Sequence, residues 1–254
     1  MSESAQTTNA KIDADIEINA CGIQCPGPIM KLKSKMEEMK DGQILKISAS
    51  DPGFPADMRA WCESTGNNLL SVTSEKGVYY ALIRKGHAPE GAKPVNVSSK
   101  EKTIIVFSND LDRALAAFII ANGAASMGNK VTMFFTFWGL NILRKKEAAG
   151  VKKDAISAAF GAMMPKGPGK LTLSKMNMLG MGTKMMKHVM KNKNVDSLET
   201  LIDSALKQGV RLVACTMTMD IMGIKKEELI DGIEEGGVAT YLGSADKANV
   251  NLFI

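Results

Sequence analysis

The sequence predicts an α/β protein with two domains, a βαβαββ two-layer sandwich followed by a three-layer α/β/α domain with a mostly parallel sheet. Short strand-like and helix-like segments alternate in the first third of the chain, and longer buried strands alternate with helices after it. Between the two parts, HAPEGAKPVNVSS has two prolines and no apolar periodicity, which is typical of a linker. The predicted divisions are a disordered lead-in at 1–14, a first domain at 15–86, a linker at 87–100 and a second domain at 101–254.

The elements of the first domain follow from periodicity and from helix and turn signals. DIEINACG alternates like a strand, and PGPIMKLKSKMEEMKDG repeats apolar residues on one helical face. ILKISAS is a predicted strand, and FPADMRAWCESTG is a predicted helix that Gly66 closes. NLLSVTSEKGVYYALIRKG predicts a hairpin that turns at 75–77. Two helices are therefore expected on one face of a small sheet.

The second domain is predicted from alternating buried strands and helices. The predicted strands are KTIIVFS, KVTMFFTF, RLVAC, VATYL and VNLFI. The predicted helices are LDRALAAFIIANGAASMG, LNILRKKEAAG, VDSLETLIDSALKQG and KKEELIDGIEEGG, with a helical turn at GSADKAN. This order implies a mostly parallel sheet that is covered on both faces. SNDLD follows the first strand in place of a glycine-rich phosphate loop, so the fold alone gives no reason to expect nucleotide binding.

Composition places the chain among soluble globular proteins, with 45% hydrophobic and 23% charged residues. The lead-in has no apolar run of the kind found in secretory signals. No uninterrupted apolar span reaches the roughly 18 residues of a transmembrane helix. With no export signal, the four cysteines are expected to be reduced in the cytoplasm. A thiol function is therefore favoured over a structural disulfide.

The stretch CGIQCPGP at 21–28 contains the first candidate nucleophile, Cys25. Pro26 follows it, and proline is preferred at the first position of a helix. The Cys25 sulfur would then lie at a helix N-terminus, where the helix dipole and free N–H groups stabilise a thiolate. Pro26 and Pro28 would hold this helix start. Cys21 is either a resolving thiol for Cys25 or a packing residue, and the sequence leaves both open.

Cys215 is the second candidate nucleophile because it ends RLVAC at the carboxyl edge of the predicted sheet, where open α/β folds place their sites. A buried packing role at the strand end remains the alternative. Cys62 lies beside Trp61 in a predicted helix and is expected in the core. The chain has no CxxC pair, and its histidines, His87 and His188, lie in the linker and in a lysine-rich stretch. We therefore predict neither a metal site nor a cofactor.

The net charge of +5 is concentrated in one part of the second domain. Positions 155–195 contain seven lysines and no acidic residue, and eight of the 18 methionines fall between Met163 and Met190. The segment 163–193 predicts an oligomer interface or a flexible flap, since methionine adapts to irregular surfaces. Peripheral contact with an anionic membrane and docking of an acidic partner are the alternatives. Nucleic-acid binding is not predicted, because aromatics are 5% of the chain and none interleave with these lysines.

The box Gly22-Ile-Gln-Cys25-Pro26-Gly27-Pro28, together with DP…DMRAWCESTG and YYALIRKG, resembles the TusA/SirA-like sulfur carrier family over the first 86 residues. The resemblance implies that the box cysteine, Cys25, carries a persulfide. Asn19 departs from the family pattern, which commonly has Asp at that position. Donor and acceptor proteins of sulfur are the partners that the resemblance implies.

Residues 101–254 resemble the DsrE/DsrF-like family, in particular its DsrE2 branch, on TIIVFSND, ACTMTMDIMGIKKEELIDG and GGVATYL…NLFI. Related sulfurtransferases accept sulfane sulfur on a cysteine, and Cys215 is the only cysteine of this domain. The expected function is a persulfide carrier of the sulfurtransferase type that loads Cys25, relays sulfur through Cys215 and forms a homo-oligomer through the second domain. A redox sensor with a Cys21–Cys25 disulfide and a membrane-associated assembly factor are the rival hypotheses.

Overall fold

The structure is a computed structural model that describes residues 13–24, 26–86, 100–147 and 150–254. Several sequence predictions fall outside the described residues. They are the lead-in over 1–12, the candidate nucleophile Cys25, and the linker over 87–99 with His87. None of the described helices is long and apolar enough to cross a membrane.

The first domain is a four-stranded sheet with two helices packed against it. Its strands are β1 (Ile16–Asn19), β2 (Ile44–Ala49), β3 (Asn68–Glu75) and β4 (Val78–Arg84), in the order β1-β2-β4-β3. β1 runs parallel to β2, and the other pairs are antiparallel. Its helices are α1 (Gly27–Glu38) and α2 (Phe54–Thr65). Gly66 ends α2 in the left-handed conformation, with φ of 73°, which favours glycine. The predicted βαβαββ order is confirmed.

The second domain is built on a parallel sheet. Its described strands are β5 (Glu101–Val106), β6 (Lys130–Phe135), β7 (Arg211–Cys215), β8 (Ile233–Gly236) and β9 (Ala248–Phe253), in the order β8-β7-β6-β5-β9. Its described helices are α3 (Leu111–Ser126), α4 (Ala155–Met163), α5 (Met181–Asn192), α6 (Leu198–Lys207), α7 (Thr216–Met222) and α8 (Val238–Ala245). All the strand pairs are parallel, so the predicted α/β/α class is confirmed.

The two faces of the second sheet bury different clusters of side chains. Alternate residues of β7, Leu212 and Ala214, belong to the large core that includes α3 and α6. The residues between them, Val213 and Cys215, point to the other face, where they meet Tyr241 of α8. This alternation follows from the period of two along a strand. Helices therefore cover both faces, but among the described residues one face has only the short α8.

Two predicted helices, LNILRKKEAAG and KKEELIDGIEEGG, are wrong over their described parts. Short 3-10 turns at Phe137–Leu143 and Lys226–Glu228 replace them, and each turn runs into a bridge that joins Arg144 to Leu229. Arg144 is 1% exposed, and its Nη2 lies 3.0 Å from Oε2 of Glu228. A buried ion pair and its backbone bridge thus override the helix propensity of both segments.

The predicted strand VATYL is also wrong, since these residues lie in α8. The position beside β7 is taken by β8, whose residues IEEG come just before. Gly236 and Gly237 separate β8 from α8. A short apolar run such as VATYL has no periodicity that distinguishes a buried strand from a helix.

The two domains contact each other through α2 and the end of α3. Nε1 of Trp61, which is 2% exposed, donates to the Ser126 carbonyl at 2.6 Å. Oγ of Ser64 donates to the Met127 carbonyl at 2.9 Å, and the Met127 side chain packs against the core of the first domain. The indole hydrogen bond joins a buried donor of one domain to the backbone of the other, so it fixes where α2 lies against the end of α3.

Candidate functional site

The loop after β1, which contains Cys21 and Gly22, is held by side chains from the ends of β1 and β2. Oδ1 of Asn19 accepts hydrogen bonds from the Cys21 N–H at 2.8 Å and from Oγ of Ser48 at 3.3 Å. The Gly22 N–H donates to Oγ of Ser50 at 2.8 Å. Gly22 has φ of +76°, a conformation that favours glycine. The loop is therefore fixed on both sides of the turn.

Helix α1 begins one residue later than the sequence predicts. Pro26 is the N-cap residue, Gly27 the first helical residue and Pro28 the second, and all three are buried. The Gly27 N–H donates to the Gln24 carbonyl at 2.9 Å. The first turn of α1 has no acidic residue, so the helix dipole favours an anion there. Cys25 lies between Gln24 and Pro26 in the sequence, outside the described residues.

Gly27 is required by the packing of Ile23. A Cβ atom at position 27 would lie 2.2 Å from Cγ2 of Ile23, well inside van der Waals contact. The absence of a side chain at Gly27 therefore lets the loop fold back onto the first turn of α1.

A cavity of about 860 Å³ lies between this loop and the second domain. The first domain lines it with Cys21, Ile23, Gly27, Met30 and Lys31. The second domain lines it with Lys187, Met190 and Lys191 of α5 and with the connection to α6 over 194–199. Nδ2 of Asn194 donates to the Gly22 carbonyl at 2.8 Å, which ties the chain just after α5 to the loop at the edge of the cavity. The cavity thus needs both domains.

The cysteines of the first domain differ in exposure. Cys21 is exposed and lines the cavity. Cys62 is 3% exposed, and burial, with a smaller contribution from Glu63, raises the pKa of its thiol to about 12. The predicted core position of Cys62 is confirmed, and a thiol with this pKa has almost no thiolate at neutral pH.

Cys215 is 5% exposed and ends β7, directly before α7. It clusters with Phe134, Val213 and Tyr241 on the face that α8 covers. The first domain contacts α3, on the opposite face of the same sheet. The structure therefore does not bring Cys215 to the cavity.

The lysines and methionines of the cavity were missed by sequence reasoning. Lys31 and Met30 come from α1, while Lys187, Met190 and Lys191 come from α5. The signal available in the sequence was the lysine-rich and methionine-rich composition of 163–193. This composition predicts a contact surface, but it does not show that the first domain is what lies against it. Among the described residues, no three His, Cys, Asp or Glu side chains cluster in a way that could hold a metal.

Comparisons with known proteins divide the chain at the same place as the two sheets. A sequence model described as the DsrE/DsrF/DrsH-like family matches residues 99–253, and one described as sulfurtransferase TusA matches residues 16–85. An uncharacterised protein of Bacillus subtilis, YrkE, is 56% identical over 156 residues, which are 61% of this chain and 98% of that protein. The sulfur carrier protein DsrE2 of Allochromatium vinosum is 38% identical over 162 residues, 62% of this chain and 100% of that protein. The sulfur carrier protein TusA of the same organism is 40% identical over 73 residues, 29% of this chain and 96% of that protein.

Proposed function

We propose, from the premise that this chain belongs to the DsrE/DsrF/DrsH-like family and carries a TusA domain before it, that it carries sulfane sulfur as a persulfide on Cys25. The two families place it among sulfur carrier and sulfur relay proteins. The observation that supports Cys25 is the position of its neighbours. Ile23 and Gly27 both line the cavity at the domain junction, and the helix that follows begins without an acidic residue.

The chemistry needs only thiolates. The Cys25 thiolate attacks the sulfane sulfur of a donor, a new S–S bond forms, and the donor's S–S bond breaks with its electron pair leaving on the donor thiolate. Delivery to an acceptor uses the same chemistry. The acceptor thiolate attacks the outer sulfur of the Cys25 persulfide, the S–S bond breaks, and Cys25 leaves as a thiolate. No electron acceptor is consumed in either step. The N-terminus of α1 favours the anionic forms of Cys25.

Intact-mass and peptide mass spectrometry of the full chain after exposure to a persulfide donor tests this role. We expect one added sulfur atom on Cys25, no addition in Cys25→Ser and an unchanged addition in Cys21→Ser. Loss of two hydrogens across Cys21 and Cys25, with no added sulfur, would instead support the redox-sensor hypothesis. Cys21 makes that alternative worth testing, because it is exposed and lies in the adjoining turn.

A relay to Cys215 is the second part of the proposal, and a route between copies fits the geometry better than one within a copy. Cys215 lies on the sheet face opposite to the first domain of its own copy. Mixing two variants tests the route: Cys215→Ser protein loaded at Cys25 is added to Cys25→Ser protein. Sulfur should appear on Cys215 of the second variant. If Cys215 gains none in the mixture and Cys215→Ser protein delivers sulfur onward at the wild-type rate, Cys215 is a packing residue and the relay is wrong.

Self-association through the second domain is the third part. Val238 and Leu242 of α8 are 68% and 50% exposed, and Phe253 of β9 is 66% exposed. These apolar side chains lie on the thinly covered face that contains Cys215, so a second copy there would bury apolar surface beside the proposed acceptor. In sedimentation velocity, the full chain should be oligomeric, and Val238→Glu with Leu242→Glu should dissociate it. An unchanged sedimentation coefficient would exclude this interface.

Membrane contact by the segment 163–193 remains the rival explanation of its composition. Leu179 and Met178 are fully and largely exposed beside the lysines of α5. Co-sedimentation with anionic vesicles, of the full chain and of Leu179→Ser protein, distinguishes membrane contact from contact with protein alone. Membrane contact predicts that the full chain sediments with the vesicles and that Leu179→Ser protein does so less. The compartment proposed for the carrier is the cytoplasm, where thiols stay reduced.

A further inference from the structure

The cavity at the domain junction carries positive charge from both domains. Its ammonium groups come from Lys31 of α1 and from Lys187 and Lys191 of α5, and its carboxylates come from Asp196 and Glu199. Among the described residues, none of the three lysines lies within 4.0 Å of a carboxylate oxygen. The balance of the lining is therefore cationic, and its lysines are not neutralised by ion pairs.

The lysines also retain unused donors. Nζ of Lys31 donates to the Asn19 carbonyl at 3.4 Å, and Nζ of Lys187 donates to the Gly169 carbonyl at 3.1 Å. A protonated lysine has three N–H donors, so each of these contacts leaves capacity for a further acceptor. The carbonyl contacts also restrain the two side chains at the rim of the cavity.

The lining also has apolar side chains and sulfur atoms. Ile23 and Met30 contribute from the first domain, and Met190 contributes from the second. Cys21 adds an exposed thiol. Methionine sulfur is polarizable and adapts to irregular ligands. An anion that also carries a polarizable sulfur atom matches this combination of donors and surface.

We propose that this cavity is a binding site for small anionic sulfane-sulfur compounds, persulfides or thiosulfate, and that Lys187 and Lys191 of the second domain position them for the carrier thiol of the first. This rests on the proposed function of Cys25. With thiosulfate, the thiolate bonds to the outer sulfur and sulfite leaves with the electron pair. With a persulfide anion, the same attack releases the parent thiolate, so both reactions balance without an oxidant.

The potential of the cavity can be measured at Cys21, independently of persulfide chemistry. In Cys25→Ser protein, Cys21 is the accessible thiol, because Cys62 and Cys215 are 3% and 5% exposed. Alkylation rates with iodoacetate, an anion, and iodoacetamide, a neutral reagent, give a ratio that reports the local charge. Lys187→Gln with Lys191→Gln should lower this ratio about threefold at low salt.

The matched control removes two lysines from the same region that do not line the cavity, Lys184→Gln with Lys193→Gln. This pair makes the same change in net charge and should leave the ratio within about 1.5-fold, as expected if distance and screening limit its effect. The iodoacetamide rate alone checks that each variant is folded around Cys21. Equal ratios in the two double variants would overturn the anion site.

Loading of Cys25 then tests the ligand class in the full chain. Thiosulfate and cysteine persulfide are the anionic donors, and an uncharged organic trisulfide is the neutral one. The Cys25 thiolate attacks the central sulfur of the trisulfide, an organic thiolate leaves with the electron pair, and Cys25 is loaded as an organic trisulfide that its mass identifies. Lys187→Gln with Lys191→Gln should slow loading by the anionic donors about threefold or more and leave the trisulfide rate unchanged. If the loading rate falls for only one of the two anionic donors, that donor is the one that the site binds. Equal slowing of all three donors would overturn a charge-based role for the lysines.

The two experiments separate failure of this site from failure of the carrier function. If no donor loads Cys25 but the Cys21 ratio still depends on Lys187 and Lys191, the carrier function is wrong and the anion site stands. If the trisulfide loads Cys25 and neither anionic donor does, the carrier function stands, and direct loading by small anions is wrong. Loading solely from a protein-bound persulfide would likewise overturn the small-molecule site.

Discussion

At the scale of single residues, burial decides which thiols a small molecule can reach. Cys21 is exposed at the cavity, whereas Cys62 and Cys215 are almost fully covered. A nucleophile must present a thiolate to its donor, so exposure and pKa act together. Cys62 fails on both counts, because it is buried and its thiol pKa is raised to about 12.

Cys62 should therefore stay unmodified in the native protein. At pH 8 a thiol with a pKa of about 12 is thiolate in roughly one molecule in 10,000, against about one in four for a free cysteine. Peptide mass spectrometry after iodoacetamide treatment should find Cys21 alkylated and Cys62 unlabelled until guanidinium unfolds the chain. Labelling of both cysteines at similar native rates would contradict the packing that surrounds Cys62.

Gly27→Ala should destabilise the protein although alanine favours helices. The new Cβ would lie 2.2 Å from Cγ2 of Ile23, so Ile23 must leave its place against α1. Overpacking of this kind costs about 1–3 kcal/mol. Urea denaturation should show that loss of stability. The alkylation rate of Cys21 should also differ from that of the wild type, because the loop that carries it shifts.

Gly123→Ala is the matched control for that substitution. Gly123 lies in α3, and a Cβ there would meet no atom within 4 Å. Alanine should stabilise this helix by about 0.5–1 kcal/mol. If both substitutions stabilise the protein, Ile23 is free to repack and Gly27 has no steric role.

At the scale of elements, the sequence predicted those segments whose own pattern determines them. All six elements of the first domain were predicted, since each combines a period of two or 3.6 with a clear stop such as Gly66. The segment around Arg144 was not, because its partner Glu228 is 84 residues away in the sequence. The sequence pattern around either residue does not predict a pairing over that distance. α8 was likewise missed, because the sheet position beside β7 is already filled by β8.

The ion network that displaced these predicted helices should stabilise the protein in a pH-dependent way. Burial acts to raise the pKa of Glu228, but hydrogen bonds from Lys153, the Lys225 N–H and Arg144 more than offset it, so the pKa lies below its ordinary value. A depressed carboxyl pKa adds stability that is present at neutral pH and lost as the pH falls through the folded-state pKa. Stability should therefore fall as the pH drops below the ordinary glutamate value of 4.5 toward that lower pKa.

Glu228→Gln should cost about 3–5 kcal/mol at pH 7, because it leaves the buried Arg144 and the largely covered Lys153 without a counter-charge. The matched control is Glu234→Gln, which breaks an exposed pair with Arg211 at 2.7 Å and should cost less than about 1 kcal/mol. Urea denaturation at pH 7 and pH 4 measures both. The gap between wild type and Glu228→Gln should narrow at pH 4, and an equal cost for the two variants would refute the buried network.

At the scale of the whole molecule, the candidate site is a product of two domains. Cys25 and its prolines were predicted as part of a site from the sequence, because a thiol, a proline and a helix start are adjacent there. Lys187 and Lys191 could not be assigned to the same site, since nothing local relates α5 to α1. Their meeting depends on contacts such as Asn194 to Gly22, which join positions 172 residues apart. Lys187 and Lys191 therefore face the first domain only while the contact between the two domains is intact.

Trp61→Phe should weaken that junction. The indole N–H donates to the Ser126 carbonyl at 2.6 Å from a side chain that is 2% exposed, and phenylalanine removes the donor. Loss of a buried hydrogen bond costs about 1–3 kcal/mol, and the smaller ring adds a cavity term. Wild type should unfold with coincident fluorescence and far-UV circular dichroism transitions. In Trp61→Phe, Trp138 is the remaining indole and reports on the second domain alone, so its transition should separate from the circular dichroism of both domains.

Trp138→Phe is the matched control, because Trp138 is 46% exposed and belongs to the turn Phe137–Leu143 rather than to the contact between α2 and α3. It should change stability by less than about 0.5 kcal/mol. The same loosening should reach the cavity, since Asn194 and the Cys21 loop face each other across the domain boundary. The iodoacetate-to-iodoacetamide ratio at Cys21 should therefore fall in Trp61→Phe and stay unchanged in Trp138→Phe. Coincident transitions and an unchanged ratio in Trp61→Phe would mean that the domains hold their positions without the indole hydrogen bond.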